Sequence, residues 1–227
     1  MTHRPRKRIL IVGCRFDEDR AGGARPWRWP QAMAPVFLAG ACHRDTCDVR
    51  VYSELYSGPL TDPRTLAWPD MLVLTGLQVD FDRYLHLTAY ARTLNPRVVV
   101  VAGGSIVELA PAFARRFFDY CCTGPVEELS SVVADAFGKD YAAEPVMPRY
   151  ELAYWSRLIG AVESSRNCNF RCSFCTMSIG ARDYRNLTPG SVRDEILRCA
   201  RKHVFFLDNN FFGNDSRAFD AKLSMLH

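Results

Sequence analysis

Arg97-Val-Val-Val-Val-Ala-Gly-Gly104 is the stretch of sequence that indicates the fold most directly. It is a short, unbroken apolar run that stops on paired glycines, as a buried parallel strand does. Arg8-Ile-Leu-Ile-Val-Gly13 has the same form, and Asp70-Met-Leu-Val-Leu-Thr75 is a third run of this kind. These segments predict the central strands of a parallel sheet.

Two weaker segments bring the predicted strands to five. Asp48-Val-Arg-Val-Tyr-Ser53 alternates and predicts an edge strand, and Asp119-Tyr-Cys-Cys-Thr-Gly124 predicts the fifth. The helices predicted between and after the strands cover residues 31–41, 80–94, 109–118 and 126–137. Strands alternating with helices imply right-handed crossovers. The predicted fold class is therefore α/β, a flavodoxin-like doubly wound parallel sheet whose ligands would lie beyond the carboxyl ends of its strands.

Composition places the chain among ordinary globular proteins, with 227 residues, 48% hydrophobic, 24% charged and a net charge of +4. Part of that charge is in the first eight residues, which we interpret as a solvated terminus, so nucleic acid is not an expected partner. Neither a signal peptide nor a run of about twenty apolar residues is visible. We therefore expect a cytoplasmic location without a membrane. There, clustered cysteines are more often metal-binding or catalytic than disulfide-bonded.

Cys168, Cys172 and Cys175 form a C-x3-C-x2-C pattern, with Phe174 just before the last thiol. Three thiolates on one loop can hold three corners of a cubane iron–sulfur cluster and leave its fourth iron open. An open position separates a reactive site from a closed structural one, so the pattern indicates an enzyme. The alternative is a structural zinc site completed by Cys199 or His203. The cysteines outside the motif are interpreted as packing thiols: Cys14, Cys42, Cys47, Cys121, Cys122 and Cys199.

The cysteine motif lies within a second series of strands and helices. Gly160-Ala-Val-Glu-Ser164 predicts a strand, Thr188-Pro189 opens a helix to about residue 201, and His203-Val-Phe-Phe-Leu-Asp208 predicts the next strand. A further helix is predicted from Asp215. Active groups in barrel-like folds gather at the carboxyl ends of strands. The cysteine loop and the Asp208-Asn209-Asn210 turn are both predicted at that face.

The domain organisation predicted from these series has three parts. Residues 1–137 form the doubly wound domain, and residues 138–159, rich in proline and aromatic side chains, form a linker that packs on one or both domains. Residues 160–227 form the first units of a partial (β/α) barrel.

The cysteine spacing and the aromatic position resemble the radical S-adenosylmethionine superfamily, whose motif is C-x3-C-x-aromatic-C. The resemblance implies that Cys168, Cys172 and Cys175 ligate a 4Fe–4S cluster, with Phe174 near the cluster or the adenine. S-adenosylmethionine would chelate the open iron and be split on reduction to methionine and a 5′-deoxyadenosyl radical. It also implies a reductant such as flavodoxin or ferredoxin. The substrate, a small molecule or a peptide, is not readable from the sequence.

Asp208-Asn209-Asn210 resembles the D-D-N segment of cobalamin-type radical enzymes. The resemblance makes Asp208, Asn209 and Asn210 candidates for contacts with S-adenosylmethionine, and the equal alternative is a helix-capping turn. Arg166 and Arg185 flank the cysteine loop, where either would bind a carboxylate or raise the cluster potential.

Val98–Ser105 and Asp119–Glu128 resemble the cobalamin-binding-type domain found at the amino end of many radical enzymes. The resemblance implies that Gly103, Gly104 and Gly124 let the nucleotide tail of cobalamin approach the backbone. Simple strand endings are the equal alternative. The loop of residues 14–23 lacks the histidine that would bind cobalt, and His43 and His86 are interpreted as surface residues. Cobalamin is therefore possible, without histidine ligation.

The leading hypothesis is a radical S-adenosylmethionine enzyme, or its amino-terminal part, with cobalamin-dependent methyl transfer as a possible reaction. One alternative is a non-catalytic iron–sulfur or zinc module. Another is a methylthiotransferase-like enzyme, with Cys14, Cys47 and Cys121 on a second cluster. Only about two barrel units are visible, so we expect a fragment or a truncated product.

Overall fold

The structure is a computed structural model that describes residues 5–15, 33–175 and 183–226. The chain divides into two compact units, Met1–Trp155 and Ser156–His227. Residues 138–155 belong to the first unit: Tyr141 and Tyr150 are buried in it, and the Arg149 amide donates to the Val36 carbonyl at 3.0 Å.

A five-stranded parallel sheet organises the first unit, with the strand order β2-β1-β3-β4-β5. The strands are β1 Lys7–Gly13, β2 Cys47–Ser53, β3 Met71–Thr75, β4 Val99–Ala102 and β5 Tyr120–Cys121. Gly13 lies opposite both Ser53 and Thr75, so the carboxyl ends of the first three strands are level. The predicted doubly wound, flavodoxin-like α/β class is confirmed, and β2 is an edge strand as its alternation predicted.

Side chains of β1 alternate between the two cores of this sheet, since successive strand residues point to opposite faces. Leu10 and Val12 join the cluster around Leu74 and Tyr84, whereas Ile9 and Ile11 join the cluster on the other face. The neighbouring strand β3 is buried at all five of its residues. Burial on both faces is the reason these runs are continuously apolar.

Helices cover both faces of the sheet in the first unit, and one prediction for them was wrong. The helices are α1 Ala34–Ala39, α2 Glu54–Ser57, α3 Pro63–Ala67, α4 Phe81–Leu94, α5 Ser105–Leu109, α6 Pro111–Ala114 and α7 Glu128–Phe137. In place of a helix over 109–118 there are two short ones, α5 and α6. Pro111 disfavours helical backbone in the residue before it, and Ala110, at φ −135°, separates the two helices.

Other predicted boundaries need smaller corrections. The fifth strand has two residues rather than six, because the chain turns at Gly124, whose amide donates to the Glu128 carboxylate at 2.5 Å. The helix predicted over 31–41 is α1, and residues 31–32 lie outside the described part of the chain. So does most of the loop that follows Cys14, residues 16–32.

The second unit contains a parallel pair, β6 Ile159–Val162 and β9 His203–Phe206, joined through α8 Pro189–Cys199. A short antiparallel pair, β7 Ser165–Arg166 with β8 Arg185–Asn186, lies between β6 and α8 along the chain. The Thr188 side chain accepts from the Ser191 amide, which confirms the predicted start of α8. The last helix is α9 Ser216–Leu226, where the Asp215 carboxylate accepts from the Ala218 amide.

Across the described ranges, every helix is too short or too polar to cross a bilayer.

Candidate functional site

The cysteine motif lies on the loop between β7 and β8, and the two strands close the loop at its root. Ser165 lies opposite Asn186, and Arg166 lies opposite Arg185. The Asn167 side chain adds a hydrogen bond to the Asp183 carbonyl at 2.8 Å. Asn167 has φ 63°, in the left-handed region that asparagine tolerates better than most residues. The chain therefore enters and leaves the loop at one fixed point; residues 176–182 of the loop are outside the described ranges.

Asp208 fixes that root to the end of β9. One carboxylate accepts from the amide and the hydroxyl of Ser164, both at 3.0 Å, and from the amide and the hydroxyl of Ser165, the latter at 2.6 Å. Both serines are buried. Three of these donors reach Oδ1 and the Ser164 hydroxyl reaches Oδ2, so both carboxylate oxygens are engaged. Asp208 thus holds the start of the cysteine loop beside β9, whereas its predicted contact with S-adenosylmethionine stays a prediction.

A second set of hydrogen bonds ties the cysteine loop to the turn that follows Asp208. The Asn210 side chain donates to the Asn169 side-chain oxygen Oδ1 at 2.5 Å, and the Asn169 side chain donates to the Gly213 main-chain carbonyl at 2.9 Å. The Gly213 amide donates back to Asn210 at 3.1 Å. Cys168 lies between Asn167 and Asn169, so the first cysteine of the motif is held on both sides. Asn209 lies exposed at the same turn.

Gly213 and Lys222 support this turn. Gly213 has φ 72°, and a methyl group there would collide with the Tyr184 hydroxyl. Lys222 of α9 is 2% exposed, donates to the Phe211 carbonyl at 3.0 Å and lies 5.0 Å from the centre of the Phe211 ring. Burial lowers the pKa of Lys222, and the nearby Asp208 carboxylate opposes that shift. Contacts with Gly213 and Lys222 therefore stabilise the turn, in addition to the hydrogen bonds that connect it to the cysteine loop.

The three cysteines are each half-buried and lie outside any disulfide. The Cys175 amide donates to the Cys172 carbonyl at 3.1 Å, so the last two thiols share one turn. No group of three His, Cys, Asp or Glu side chains in the described ranges is assembled as a metal-binding set. The structure therefore places the three thiols on one loop, where they are not assembled as a metal-binding set. Their chemistry, three accessible sulfurs on a short rooted loop, fits an iron–sulfur cluster.

Side chains flanking the motif differ in their surroundings. Phe174 is 89% exposed, so its ring has little contact with the described part of the chain. Arg166 forms an ion pair with Glu163 at 2.8 Å, whereas Arg185 lies exposed on the neighbouring strand. The two arginines therefore offer a paired and a solvent-facing cation at the loop root.

Comparison with known proteins adds a distant relative. No protein-family model matches the chain. It is 26% identical over 176 residues to the hopanoid C-2 methylase of Rhodopseudomonas palustris (strain TIE-1), an alignment covering 68% of this chain and 33% of that protein. The chain is similar to a methylase. It spans about a third of the length of that relative.

Among solved structures, the chain is similar to the pilus assembly protein CpaE from Caulobacter crescentus CB15. The two are 19% identical, with a TM-score of 0.35. The match covers 61% of this chain and 96% of the other.

The zinc alternative needed Cys199 or His203 as a fourth ligand, and the structure places both away from the cysteine loop. Cys199 is buried, with its sulfur against Gly160, where a side chain would collide with it. His203 lies opposite Ile159 at the start of β6. The cysteine loop leaves the other end of β6, about 13 Å further along at 3.3 Å per residue. Cys199 is a packing thiol, as predicted.

The second cluster of the methylthiotransferase alternative needed Cys14, Cys47 and Cys121 together. Cys47 begins β2 at the level of Lys7, whereas Cys14 follows Gly13 at the far end of β1. Seven strand residues separate the two levels, roughly 20 Å. Cys14 and Cys47 therefore cannot ligate one cluster. Burial raises the pKa of Cys14 well above its usual value, as expected for a packing thiol.

The glycines predicted to admit a nucleotide tail have different surroundings. Gly104 has φ 92°, and a methyl group there would lie 2.6 Å from the Gly76 carbonyl oxygen. One on Gly124 would lie 2.8 Å from the Glu128 carboxylate, whereas one on Gly103 meets only ordinary contacts beginning at 3.6 Å. Packing of the chain therefore accounts for Gly104 and Gly124 by itself.

The two histidines considered as cobalt ligands lie at the surface. His43 and His86 are both exposed, as predicted for surface residues. Residues 16–23 of the loop after β1 lie outside the described part of the chain.

Sequence reasoning missed several residues that fix the site. Ser164, Ser165, Asn169, Tyr184 and Lys222 were not singled out. Ser164 and Ser165 had one usable signal, since paired hydroxyls directly after a buried strand need acceptors. The acceptor itself, Asp208, is 43 and 44 residues away and is found only through the pairing of β6 with β9.

Proposed function

We propose that this chain is the cluster-binding part of a radical S-adenosylmethionine methylase, with Cys168, Cys172 and Cys175 as the cluster ligands. The observation that carries the proposal is the anchoring of the C-x3-C-x2-C loop. Asp208, at the end of β9, holds the serines from which the loop departs. Ligand groups at the carboxyl ends of parallel strands are typical of barrel-like active sites.

The residues of this chain have distinct tasks in the proposal. The three thiolates bind the cluster, which would supply the electron that cleaves S-adenosylmethionine. Asp208 and the asparagine pair, Asn169 with Asn210, orient the loop. Asn209 and Arg185 are exposed beside it and are available to the amino and carboxylate groups of S-adenosylmethionine.

The methylase part of the proposal rests on the distant relative, which acts as a hopanoid C-2 methylase. Methyl transfer to carbon is the reaction that cobalamin-type radical enzymes would carry out. We propose that cobalamin binds beyond the carboxyl ends of the five-stranded sheet, near Gly103, without histidine ligation. A one-electron donor such as flavodoxin or ferredoxin would serve the cluster.

Anaerobic reconstitution with iron and sulfide tests the cluster. The wild-type chain should bind about four irons and four sulfides and turn brown, as cubane clusters do. Cys172→Ala should lose most of that iron, because a corner ligand is gone. Cys199→Ser is the matched control: this buried thiol lies outside the motif, so its iron content should equal that of the wild type. A colourless chain with one zinc per molecule would overturn the proposal.

Two further measurements distinguish between the hypotheses in which the chain binds an iron–sulfur cluster. Reductive cleavage of S-adenosylmethionine to methionine by the reconstituted chain supports the enzyme, whereas an intact cluster without cleavage supports a non-catalytic module. A spectral shift of added cobalamin that depends on the chain supports the methylase arm, and its absence removes that arm while leaving the cluster.

A further inference from the structure

A buried ion pair lies at the carboxyl end of β2, on the edge of the five-stranded sheet where ligands bind in this fold class. Glu54 directly follows Ser53, the last residue of that strand. Its side chain is 1% exposed, and its carboxylate accepts from Arg83 Nη2 at 2.7 Å and from Arg83 Nε at 2.9 Å. Taking two charges out of water is costly, and an apolar pair of similar volume is often at least as stable. Stability alone therefore does not account for this pair.

The same carboxylate also holds two segments of main chain. Its Oε2 accepts from the Arg15 amide at 3.1 Å, and its Oε1 accepts from the Leu60 amide at 2.7 Å. The Arg83 guanidinium donates to the Leu60 carbonyl at 2.7 Å. Arg15 lies just beyond Gly13, the last residue of β1. The ion pair of Glu54 and Arg83 therefore fixes the backbone of Arg15 at the carboxyl end of β1.

Arg15 lies at the point where the direction of the strand order reverses. In the order β2-β1-β3-β4-β5, the connections from β1 and from β3 lead to opposite sides, so a crevice opens between the carboxyl ends of these two strands. The Cys14 amide donates to the Thr75 carbonyl at 2.8 Å, which places Arg15 beside the end of β3. Arg15 itself is exposed. Its side chain is therefore accessible to a ligand in this crevice.

The charged groups at this edge differ in their access to a ligand. Glu54 is paired with Arg83, and Asp80 is 4% exposed and accepts from the Leu77 amide at 2.7 Å. Arg15, in contrast, is exposed. A guanidinium binds phosphate through two parallel hydrogen bonds. Cobalamin carries a single anionic group, the phosphodiester of its nucleotide tail, because the amide side chains of its ring are neutral. The chemistry of Arg15 thus matches that phosphate.

We propose that Arg15 binds the phosphate of the cobalamin nucleotide tail, and that Glu54, held by Arg83, is the positioning residue for Arg15. The inference rests on the proposed binding of cobalamin and adds the group of the ligand that is recognised. Residues 14–23 contain no histidine. The orientation of the ligand therefore depends on contacts such as this one rather than on ligation of cobalt.

Equilibrium dialysis of the full chain against cobalamin and against cobinamide tests the phosphate contact. Cobinamide has the corrin ring but lacks the nucleotide and its phosphate. Arg15→Ala should weaken cobalamin binding about 10- to 100-fold, the effect of a lost hydrogen-bonded charge, and leave cobinamide binding unchanged. Arg97→Ala is the matched control: this exposed arginine precedes β4 at the opposite edge of the sheet, so both affinities should equal those of the wild type.

The possible results separate this inference from the proposed function. An equal loss for the two ligands in Arg15→Ala, or no loss for either, would overturn the phosphate contact while leaving cobalamin binding in place. A wild-type chain that binds neither ligand would overturn the proposed binding of cobalamin, and the phosphate contact with it.

Variants of the buried pair test the positioning role. Glu54→Gln leaves the Arg83 charge buried without its partner and can fail to fold, so a double variant, Glu54→Gln with Arg83→Met, removes both charges. The double variant should bind cobalamin about 10-fold more weakly and cobinamide as before, and hydrogen exchange at the Arg15 amide should accelerate. Asp70→Asn removes a carboxylate paired with Arg8 before β3, at the amino edge of the sheet, and should change none of these.

Faster exchange at the Arg15 amide with unchanged cobalamin affinity would show that the pair has a structural role only, and would overturn the positioning assignment. An equal loss of affinity for cobinamide would also overturn it. The Arg15 variant decides the phosphate contact independently, because its exposed side chain is replaced without disturbing the buried pair.

Discussion

The two units of the chain are ordered by different means. In the first, β3 is buried at every residue and the sheet is covered on both faces by apolar clusters. In the second, β9 alternates between exposed and half-buried residues, and Phe205 is 48% exposed. Hydrogen bonds among polar side chains hold the loop there: Asp208 with the serines, and Asn169 with Asn210. Apolar packing stabilises the sheet but is not directional. A loop that carries ligands needs directional hydrogen bonds to fix its position.

The largest expected effect is the loss of a core side chain from the first unit. Leu74→Ala should lower the free energy of unfolding by about 2–5 kcal/mol, because it leaves a cavity in a close-packed interior. Phe205→Ala is the matched change in the second unit, and it should cost less than about 1 kcal/mol because the ring is half in solvent. Urea unfolding followed by circular dichroism measures both. Equal losses would show that the two units do not differ in this way.

Asp208→Asn should have an intermediate effect, confined to the second unit. The variant places an amide NH2 where a carboxylate oxygen now faces donors, leaving buried serine groups unsatisfied at a cost of about 1–3 kcal/mol. Hydrogen exchange at the Ser164 and Ser165 amides should accelerate, while the β3 amides keep their protection. Asn209→Ala, next along the chain and exposed, is the control and should change neither. Unaltered exchange at the two serines would remove Asp208 from its positioning role.

The smallest expected effect is at Asp70, a carboxylate of the first unit. Burial acts to raise the pKa of Asp70, but hydrogen bonds from the side chain and amide of Arg8 hold it below its usual value. A lowered folded pKa means that the pair stabilises the fold above the ordinary aspartate pKa. This stabilisation is lost as pH falls through the lowered value. Because both side chains are partly exposed, Asp70→Asn should cost less than about 1 kcal/mol at neutral pH.

A pH series of unfolding midpoints checks this prediction. The difference between the wild type and Asp70→Asn should shrink as pH is lowered and vanish once Asp70 is protonated. A difference that grows toward acid pH would reverse the assigned sign.

Prediction succeeded for the elements whose conformation is determined by the pattern of adjacent residues. The buried runs that became β1, β3 and β4 are continuous and end on glycine or threonine, so the class of the sheet followed from them. It failed over residues 109–118, where the structure has the end of α5 and the short helix α6, separated by Ala110 just before Pro111. It also missed α2 and α3, the two short helices that follow β2. They have too few residues to show a helical period in the sequence.

For the site, local sequence placed the cysteines and the Asp208-Asn209-Asn210 turn at one face, and the structure adds what joins them. The link between Asn169 and Asn210 spans 41 residues. Asparagine inside a loop gives no sign of which partner it will find, because turns favour it for local reasons as well.

The sequence by itself determined the doubly wound sheet and the C-x3-C-x2-C loop, because buried strands and ligand spacing can both be recognised from residues that are adjacent in the sequence. Only the tertiary structure decided that Asp208 anchors the loop and that Cys14 and Cys47 lie at opposite ends of the sheet. The physical reason is that these contacts and distances depend on which strands pair, and pairing brings together residues that the chain keeps far apart.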